Sequence, residues 1–450
     1  MACTWRDYGN EVFRIPGAGA MDNLVLPAKY LEELKRLPDD VLDPTDANLE
    51  RVKSKYVAPG IDLTHLPGEV KSWISPALRR LRPEIEDEVK NALLQEVPQS
   101  SEWTEINFSD KMPRVVAMVT GRLLVGLELC RSATYVKLAD KFTKEAMAAA
   151  ISLTLIPSFL RPIIAPLLPQ LWLTRRRMAQ AEEAFGPTIT SRRLQSQSPN
   201  RGDQVDILQL LIESSDVRGK SNRDIAAELL FINVAGVHST SITIINALYW
   251  IVAKPELIEI MRQDVLQALA TSGGEYSKSC LQQMTKLDSF LKEVMRCSLL
   301  ASVLYNRKVV KPFTLSNGQL IPSGVNIEIP SSFVCSDTVN FEDPGEFDAF
   351  RFYNIAREYQ DEKTGSYGPK PNTEFSAADP RILSFGYGRR ACPGRFLAAA
   401  EIKMILGHIL TEYEIKLPPG VSGRYKNLSF GPYFFPNPWK KILIRKLKQS

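Results

Sequence analysis

The chain has 450 residues, 44% of them hydrophobic and 24% charged, which is the composition of a globular protein and excludes a disordered one. A net charge of +5 is mild, and no block of basic residues is interleaved with aromatics, so nucleic-acid binding is not expected. The six cysteines include no C-x-x-C pair and no disulfide-type spacing, which suits a reducing compartment. Three histidines are too few for a histidine-rich metal centre.

Residues 1–20 hold neither a signal-peptide pattern nor an apolar run of spanning length, so an N-terminal membrane anchor is expected to be absent. No Gly/Ser linker, low-complexity tract or internal repeat follows, and a single domain over residues 1–450 is expected. Residues 13–16 and 24–27 read as short extended runs about a Gly/Ala turn, followed by a helix over 28–37. Helices are predicted over 115–130, 140–155 and 171–185. The stretch 151–173 is strongly apolar, but Arg161, Pro157, Pro162, Pro166 and Pro169 argue against a spanning helix. Arg175-Arg176-Arg177 reads as a solvated helix face.

Residues 225–253 form one long apolar helix in this reading, and Pro255 opens another that ends before Ser272-Gly273-Gly274. Leu287, Phe290, Leu291 and Val294 make one apolar helix face, and Glu293 and Arg296 share another at i, i+3 spacing. A hairpin is expected about Ser316-Asn317-Gly318. The last strong helix begins near Arg395, with the stripe Ile402, Ile405, Leu406, Ile409, Leu410.

Just before that helix stands Phe385-Gly386-Tyr387-Gly388-Arg389-Arg390-Ala391-Cys392-Pro393-Gly394. A thiolate at a helix N-terminus is stabilised by the dipole and by free backbone N–H groups, which makes Cys392 a plausible anionic metal ligand. Gly386, Gly388 and Gly394 let the chain pass close to a flat cofactor, and Arg390 can pair with a carboxylate on it. From the residues alone, an ordinary strand–loop–helix turn with a buried cysteine also fits. The segment, however, resembles the haem-ligand signature of cytochromes P-450, Phe-x-x-Gly-x-Arg-x-Cys-x-Gly, at every fixed position. Two further stretches extend the resemblance. Glu293-Val294-Met295-Arg296 is similar to the family's Glu-x-x-Arg, and Phe347-Asp348-Ala349-Phe350-Arg351-Phe352 to the segment that supplies a second arginine, with Ala349 where proline is usual. Ala235-Gly236-Val237-His238-Ser239-Thr240 resembles the oxygen-handling helix, with His238 in place of the usual acid and Ser239 in place of the usual threonine.

The resemblance implies a mainly α fold with a small β domain, a large helical bundle plus small antiparallel sheets. It implies a haem-thiolate monooxygenase that uses haem b (iron protoporphyrin IX), O2 and two electrons from NADPH through a cytochrome P-450 reductase, with cytochrome b5 as a second donor. Cys392 would be the axial ligand, Phe385 would shield the sulfur, and Arg390 and Arg307 would meet the propionates, with Gly386 and Gly394 shaping the loop. Trp73 and Arg79 are weaker candidates for the propionates. Glu293, Arg296 and Arg351 would form a buried structural triad. Gly236 would leave room for dioxygen, and Ser239 and His238 would handle protons. The pocket would comprise Ala235, Ala301, Val303, Leu304, Phe430 and Phe434.

The histidine followed by two hydroxyl residues is similar to fungal enzymes of terpenoid and indole-diterpenoid metabolism, so a hydrophobic terpenoid-like substrate is expected. Relatives sit on the cytosolic face of the endoplasmic reticulum; without an anchor, a peripheral or cytoplasmic place is equally open. Residues 151–173 would touch the membrane or form a packed loop. An isomerase or dehydratase on the same scaffold, and a silent haem-binding protein, are the alternatives.

Overall fold

The structure, a computed structural model, describes residues 9–15, 23–196, 206–361 and 372–448. Its longer helices are α1 (Leu66–Glu96), α2 (Phe108–Leu124), α3 (Ala133–Thr154), α4 (Pro169–Ser196), α5 (Ile207–Val217), α6 (Asn222–Ala253), α7 (Glu256–Ala270), α8 (Thr285–Cys297), α9 (Arg351–Asp361) and α10 (Arg395–Glu412). The strands are β1 (Phe13–Ile15), β2 (Asn23–Val25), β3 (Leu42–Asp43), β4 (Thr104–Ile106), β5 (Tyr305–Val309), β6 (Phe313–Thr314), β7 (Leu320–Ile321), β8 (Asn326–Ile329), β9 (Tyr413–Lys416), β10 (Leu428–Phe430), β11 (Tyr433–Phe435) and β12 (Ile442–Lys446).

The helical core is organised about α6. A capping box starts it: Ser221 accepts from the Asp224 N–H while Asp224 reaches back to the Ser221 N–H. The helix then packs against α2, α3, α4, α8 and α10. It is long and apolar enough to cross a membrane, but its buried residues, among them Leu229, Leu230, Ile244, Ile245 and Leu248, face other helices of the chain. The predicted stripe of α10 is buried throughout.

The sheets are small, as expected. One has the order β1-β2-β8-β5-β3, antiparallel except where β2 lies parallel to β8. A parallel pair needs a long crossover, and here nearly the whole helical body supplies it. A second sheet runs β4-β12-β9, and β6–β7 and β10–β11 are hairpins.

Several helix limits differ from the expected ones. The helix predicted over 115–130 begins at Phe108, because Asn107 caps it by accepting from the Ser109 N–H, and it runs through Pro113. It stops at Leu124, before Gly126 with φ +71°, where an added Cβ would lie 2.7 Å from Asp206 Oδ2. The helices predicted over 140–155 and 171–185 extend to Ala133–Thr154 and Pro169–Ser196, the second passing through Pro187. Between them, residues 155–168 form short turns rather than a spanning helix, and Leu155, Phe159, Ile163 and Leu167 point to solvent. The Gly/Ala turn expected at residues 17–20 lies outside the described residues.

Candidate active site

The cysteine loop is two short 3-10 turns, Leu383–Phe385 and Gly388–Arg390, leading into α10. Gly386 has φ +67° and ψ −167°, a conformation that is essentially glycine's alone. Gly388 has φ +79°, and a Cβ there would come 2.8 Å from Lys35 Cβ. The Cys392 N–H donates to the Phe385 carbonyl at 2.7 Å, which closes the loop and sets the sulfur at the first turn of α10. Phe385 stands beside it, edge-on to Phe375 with ring centroids 5.7 Å apart.

Two influences act on the Cys392 thiol. Burial pushes its pKa up; the backbone N–H groups of Gly394 and Arg395 and the charge of Arg395 pull it down. In the protein alone burial prevails, so the dipole expected to favour the thiolate is outweighed. Cys392 is nonetheless partly accessible although it lies deep in the fold. A deep, accessible sulfur with N–H donors beside it suits ligation by a bound cation.

The two arginines expected at a cofactor's carboxylates fare differently. Arg390 is taken by Asp39, with Nε 3.0 Å from Oδ2. Arg307 is buried, its guanidinium stacks over the Tyr305 ring at 4.0 Å, and one Nη donates to the Asn306 carbonyl at 2.8 Å. Burial lowers its pKa, and among the described residues no carboxylate lies within ion-pair distance. A buried cation without an anion fits an acidic group such as a haem propionate.

The structure brings Glu293, Arg296 and Arg351 together. Glu293 is wholly buried and receives both Nε (2.8 Å) and Nη2 (2.7 Å) of Arg296. It also accepts from Arg351 Nε at 3.3 Å and from the Asp348 N–H at 3.1 Å. Arg296 donates further to the carbonyls of Cys335, Pro344 and Glu346. The Ser384 hydroxyl reaches the Met295 carbonyl at 3.3 Å and so ties the cysteine loop to α8.

On α6, Ala235 is exposed and His238 and Ser239 are partly so, while Val237, Thr240 and Ser241 are buried. Accessible residues in the middle of a core helix mark an internal space. Gly236 has a structural role beside the expected one, since an added Cβ would lie 3.1 Å from the Thr120 methyl carbon, and its bare Cα lets α2 approach. The Ser239 hydroxyl donates to the Ala235 carbonyl at 2.9 Å. Burial lowers the His238 pKa to about 4, so the ring is neutral near pH 7.

The expected pocket residues divide between different surroundings. The β10–β11 hairpin docks beside residues 300–302: Ala301 bridges Tyr433, Phe434 N–H donates to Leu300 O, and Ser302 N–H donates to Pro432 O. Strand alternation puts Phe434 on the face opposite Tyr433 and Phe435. Phe434 and Leu304 pack against the separate cluster of Leu299, Phe341 and Phe352, whereas Phe435 meets the His238 ring at 5.9 Å. Phe435 is thus a neighbour of His238 that the sequence reading did not name, and only the docking of the hairpin brings the two together. Ala301 and Val303 are almost fully buried, and Phe430 is more than half exposed at the rim. A cleft of about 1000 Å³ lies elsewhere, lined by Arg79, Arg82, Lys278, Tyr353 and Phe396.

Comparison with known proteins places this site in context. A sequence model described as "Cytochrome P450" matches residues 71–436. The chain is 33% identical to the cytochrome P450 monooxygenase ATR3 of Stachybotrys chlorohalonatus, over 97% of this chain and 91% of that one. It is 30% identical to ent-kaurene oxidase P450-4 of Gibberella fujikuroi, over 98% of this chain and 86% of that one. Among solved structures, a retinoic acid-bound cyanobacterial CYP120A1 superposes with a TM-score of 0.72 at 16% identity, covering 99% and 94% of the two chains.

Proposed function

The chain belongs to the cytochrome P450 family and is a P450 monooxygenase, and on that premise we propose that it oxidises an apolar, terpenoid-like metabolite in fungal secondary metabolism at a haem b held by Cys392. The observation that carries the assignment is the deep, accessible Cys392 at the first turn of α10, with the N–H groups of Gly394 and Arg395 beside its sulfur. Haem with a thiolate ligand supplies O2 activation and insertion of oxygen into a C–H bond.

The residues of this chain do the rest. Arg307, stacked on Tyr305 and without an anionic partner among the described residues, would hold a propionate, and Arg390 would do so on release from Asp39. Phe385 covers the sulfur side. Ser239 offers a hydroxyl on the oxygen side, and the two ring nitrogens of neutral His238 can pass a proton on. Glu293, Arg296 and Arg351 hold the loop in place. We assign residues 1–450 to one catalytic domain. NADPH-cytochrome P450 reductase and cytochrome b5 would deliver electrons, and the basic rim of Arg79, Arg82 and Lys278, near Phe396 on the first turn of α10, is the surface we assign to an acidic donor.

Relatives of this kind work on the cytosolic face of the endoplasmic reticulum, and the solvent-facing Leu155, Phe159, Ile163, Leu167 and Trp172 support a membrane contact through residues 151–173. The terpenoid reading rests on the ent-kaurene oxidases among the relatives and on the apolar wall. The deciding measurement is the reduced carbon-monoxide difference spectrum of the purified protein and of Cys392→Ala. A strongly red-shifted Soret band that the substitution abolishes is expected. An unshifted band indifferent to Cys392 would overturn the assignment, and turnover without electron consumption would favour an isomerase.

A further inference from the structure

His238 differs from the other two histidines of the chain. His65 has Lys220 Nζ 3.2 Å from its Nε2, and His408 Nδ1 lies 2.6 Å from Glu412. Among the described residues, no protein group forms a hydrogen bond or ion pair with the His238 ring; its close contact is the edge of Phe435. Phe435 in turn has Phe430 and Tyr433 at 6.4 and 6.5 Å. The imidazole therefore sits in an aromatic wall, partly accessible to the space that Ala235 also faces.

Three nearby hydroxyls of α6 donate to their own helix and keep only acceptor capacity. Ser239 donates to Ala235 O, Ser241 to Val237 O at 2.6 Å, and Thr243 to Ser239 O at 2.9 Å. Thr240 is buried and its hydroxyl has no hydrogen bond among the described residues, so His238 is the partly accessible side chain of this stretch with both an open donor and an open acceptor. An unpaired polar group in a desolvated wall is costly unless a ligand satisfies it, and the cost falls on any ligand that cannot.

We propose that His238 is a substrate-recognition residue that hydrogen-bonds a hydroxyl or carbonyl oxygen on the apolar substrate. The inference rests on the monooxygenase reading and narrows its substrate class from a hydrophobe to one already oxygenated. A neutral imidazole donates at one nitrogen and accepts at the other, which matches a hydroxyl at either and a carbonyl at the donor. It offers no positive charge to a carboxylate. A carbon skeleton without oxygen would leave both nitrogens dry and unpaired. The reaction that supplies this substrate must therefore deliver it already carrying a hydroxyl or carbonyl, and this enzyme acts after that oxygen is in place.

The test is calorimetric binding to the holoenzyme with two matched probe pairs, ent-kaurene against ent-kaurenol and drimane against drimanol. Calorimetry reads binding whether or not the iron changes spin state. Wild type should bind each alcohol about tenfold or more tightly than its hydrocarbon. His238→Phe, which keeps a ring against Phe435, should reduce that preference to near unity, and His238→Gln, which can still donate and accept, should restore part of it. Equal affinities in wild type, binding of neither alcohol, or a preference that survives His238→Phe would each overturn the proposal. The carbon-monoxide spectrum recorded on the same samples separates this from failure of the monooxygenase reading. A variant that retains the alcohol preference but forms less product per electron would identify His238 as a proton carrier only, and the recognition role would fall.

Discussion

The surroundings of Glu293 and those of His238 lie in one helical body and follow opposite rules. At Glu293 the carboxylate takes both arms of Arg296, the Arg351 guanidinium and a backbone N–H, and Arg296 spends its remaining donors on three carbonyls. At His238 the ring bonds to no described protein group, and the neighbouring hydroxyls turn back onto their own helix. A saturated network fixes one geometry and tolerates no missing member. An unsaturated wall has low demands on the fold and leaves its bonding capacity to a ligand. The first region is tied to the cysteine loop through Ser384 and Met295; the second is where we propose that substrate is chosen.

Substitutions can test how far that contrast extends. The largest effect is expected for Glu293→Ala, which strands the buried Arg296 and the half-buried Arg351 and should cost about 3–5 kcal/mol in urea unfolding, with poor recovery of folded protein. A loss no greater than that of a surface carboxylate would break the comparison. Glu401, on α10, accepts from Thr120 of α2 at 3.1 Å, and the methyl of Thr120 meets Gly236. Burial raises its pKa to about 8 from the ordinary 4.5, so above pH 5 the folded protein holds a proton that the unfolded chain has released. Stability contributed by the neutral acid is thus complete at low pH and is lost as pH rises towards 8. Glu401→Gln should melt higher than wild type at pH 8, with the gap closing near pH 5; a gap independent of pH would show that Glu401 does not titrate in this way.

Smaller effects sharpen the boundary. Ser221→Ala removes the α6 cap and should cost about 1 kcal/mol without altering affinity for any probe. His238→Ala should cost less, under about 1 kcal/mol, because it gives up one ring contact and no protein hydrogen bond. If chemical denaturation showed a loss as large as that of Glu293→Ala, the wall would be scaffold rather than binding surface.

What the sequence revealed follows the same division. Glu293 and Arg296 share a helix face by spacing, and the cysteine loop carries its glycines and Cys392 at fixed offsets, so these short motifs were visible in the sequence and the family resemblance gave them their roles. Arg351 needed the family resemblance, and the structure brings it to Glu293. Phe435 escaped notice because its contact with His238 depends on how the β10–β11 hairpin docks against a distant helix. Glu401 sits beside the apolar stripe of α10 like any surface carboxylate, and only the packing of α2 shows that it is buried. The pairing of Arg390 with Asp39 was likewise invisible, since no local pattern links the two. Helix limits slipped at α2 and α4, whose expected ranges stop short of Pro113 and Pro187, although tertiary packing carries both helices through them.

The turns between α3 and α4 also shape how the purified protein behaves. Phe159 is 75% exposed and Leu155 78%, with Ile163, Leu167 and Trp172 nearby in the chain. In dilute buffer such an oily face drives molecules together through it, and a mild surfactant that covers the face separates them. The size measured by sedimentation should therefore track the detergent in the buffer, and a dimer seen without detergent reports solvent avoidance rather than a partnership built for catalysis.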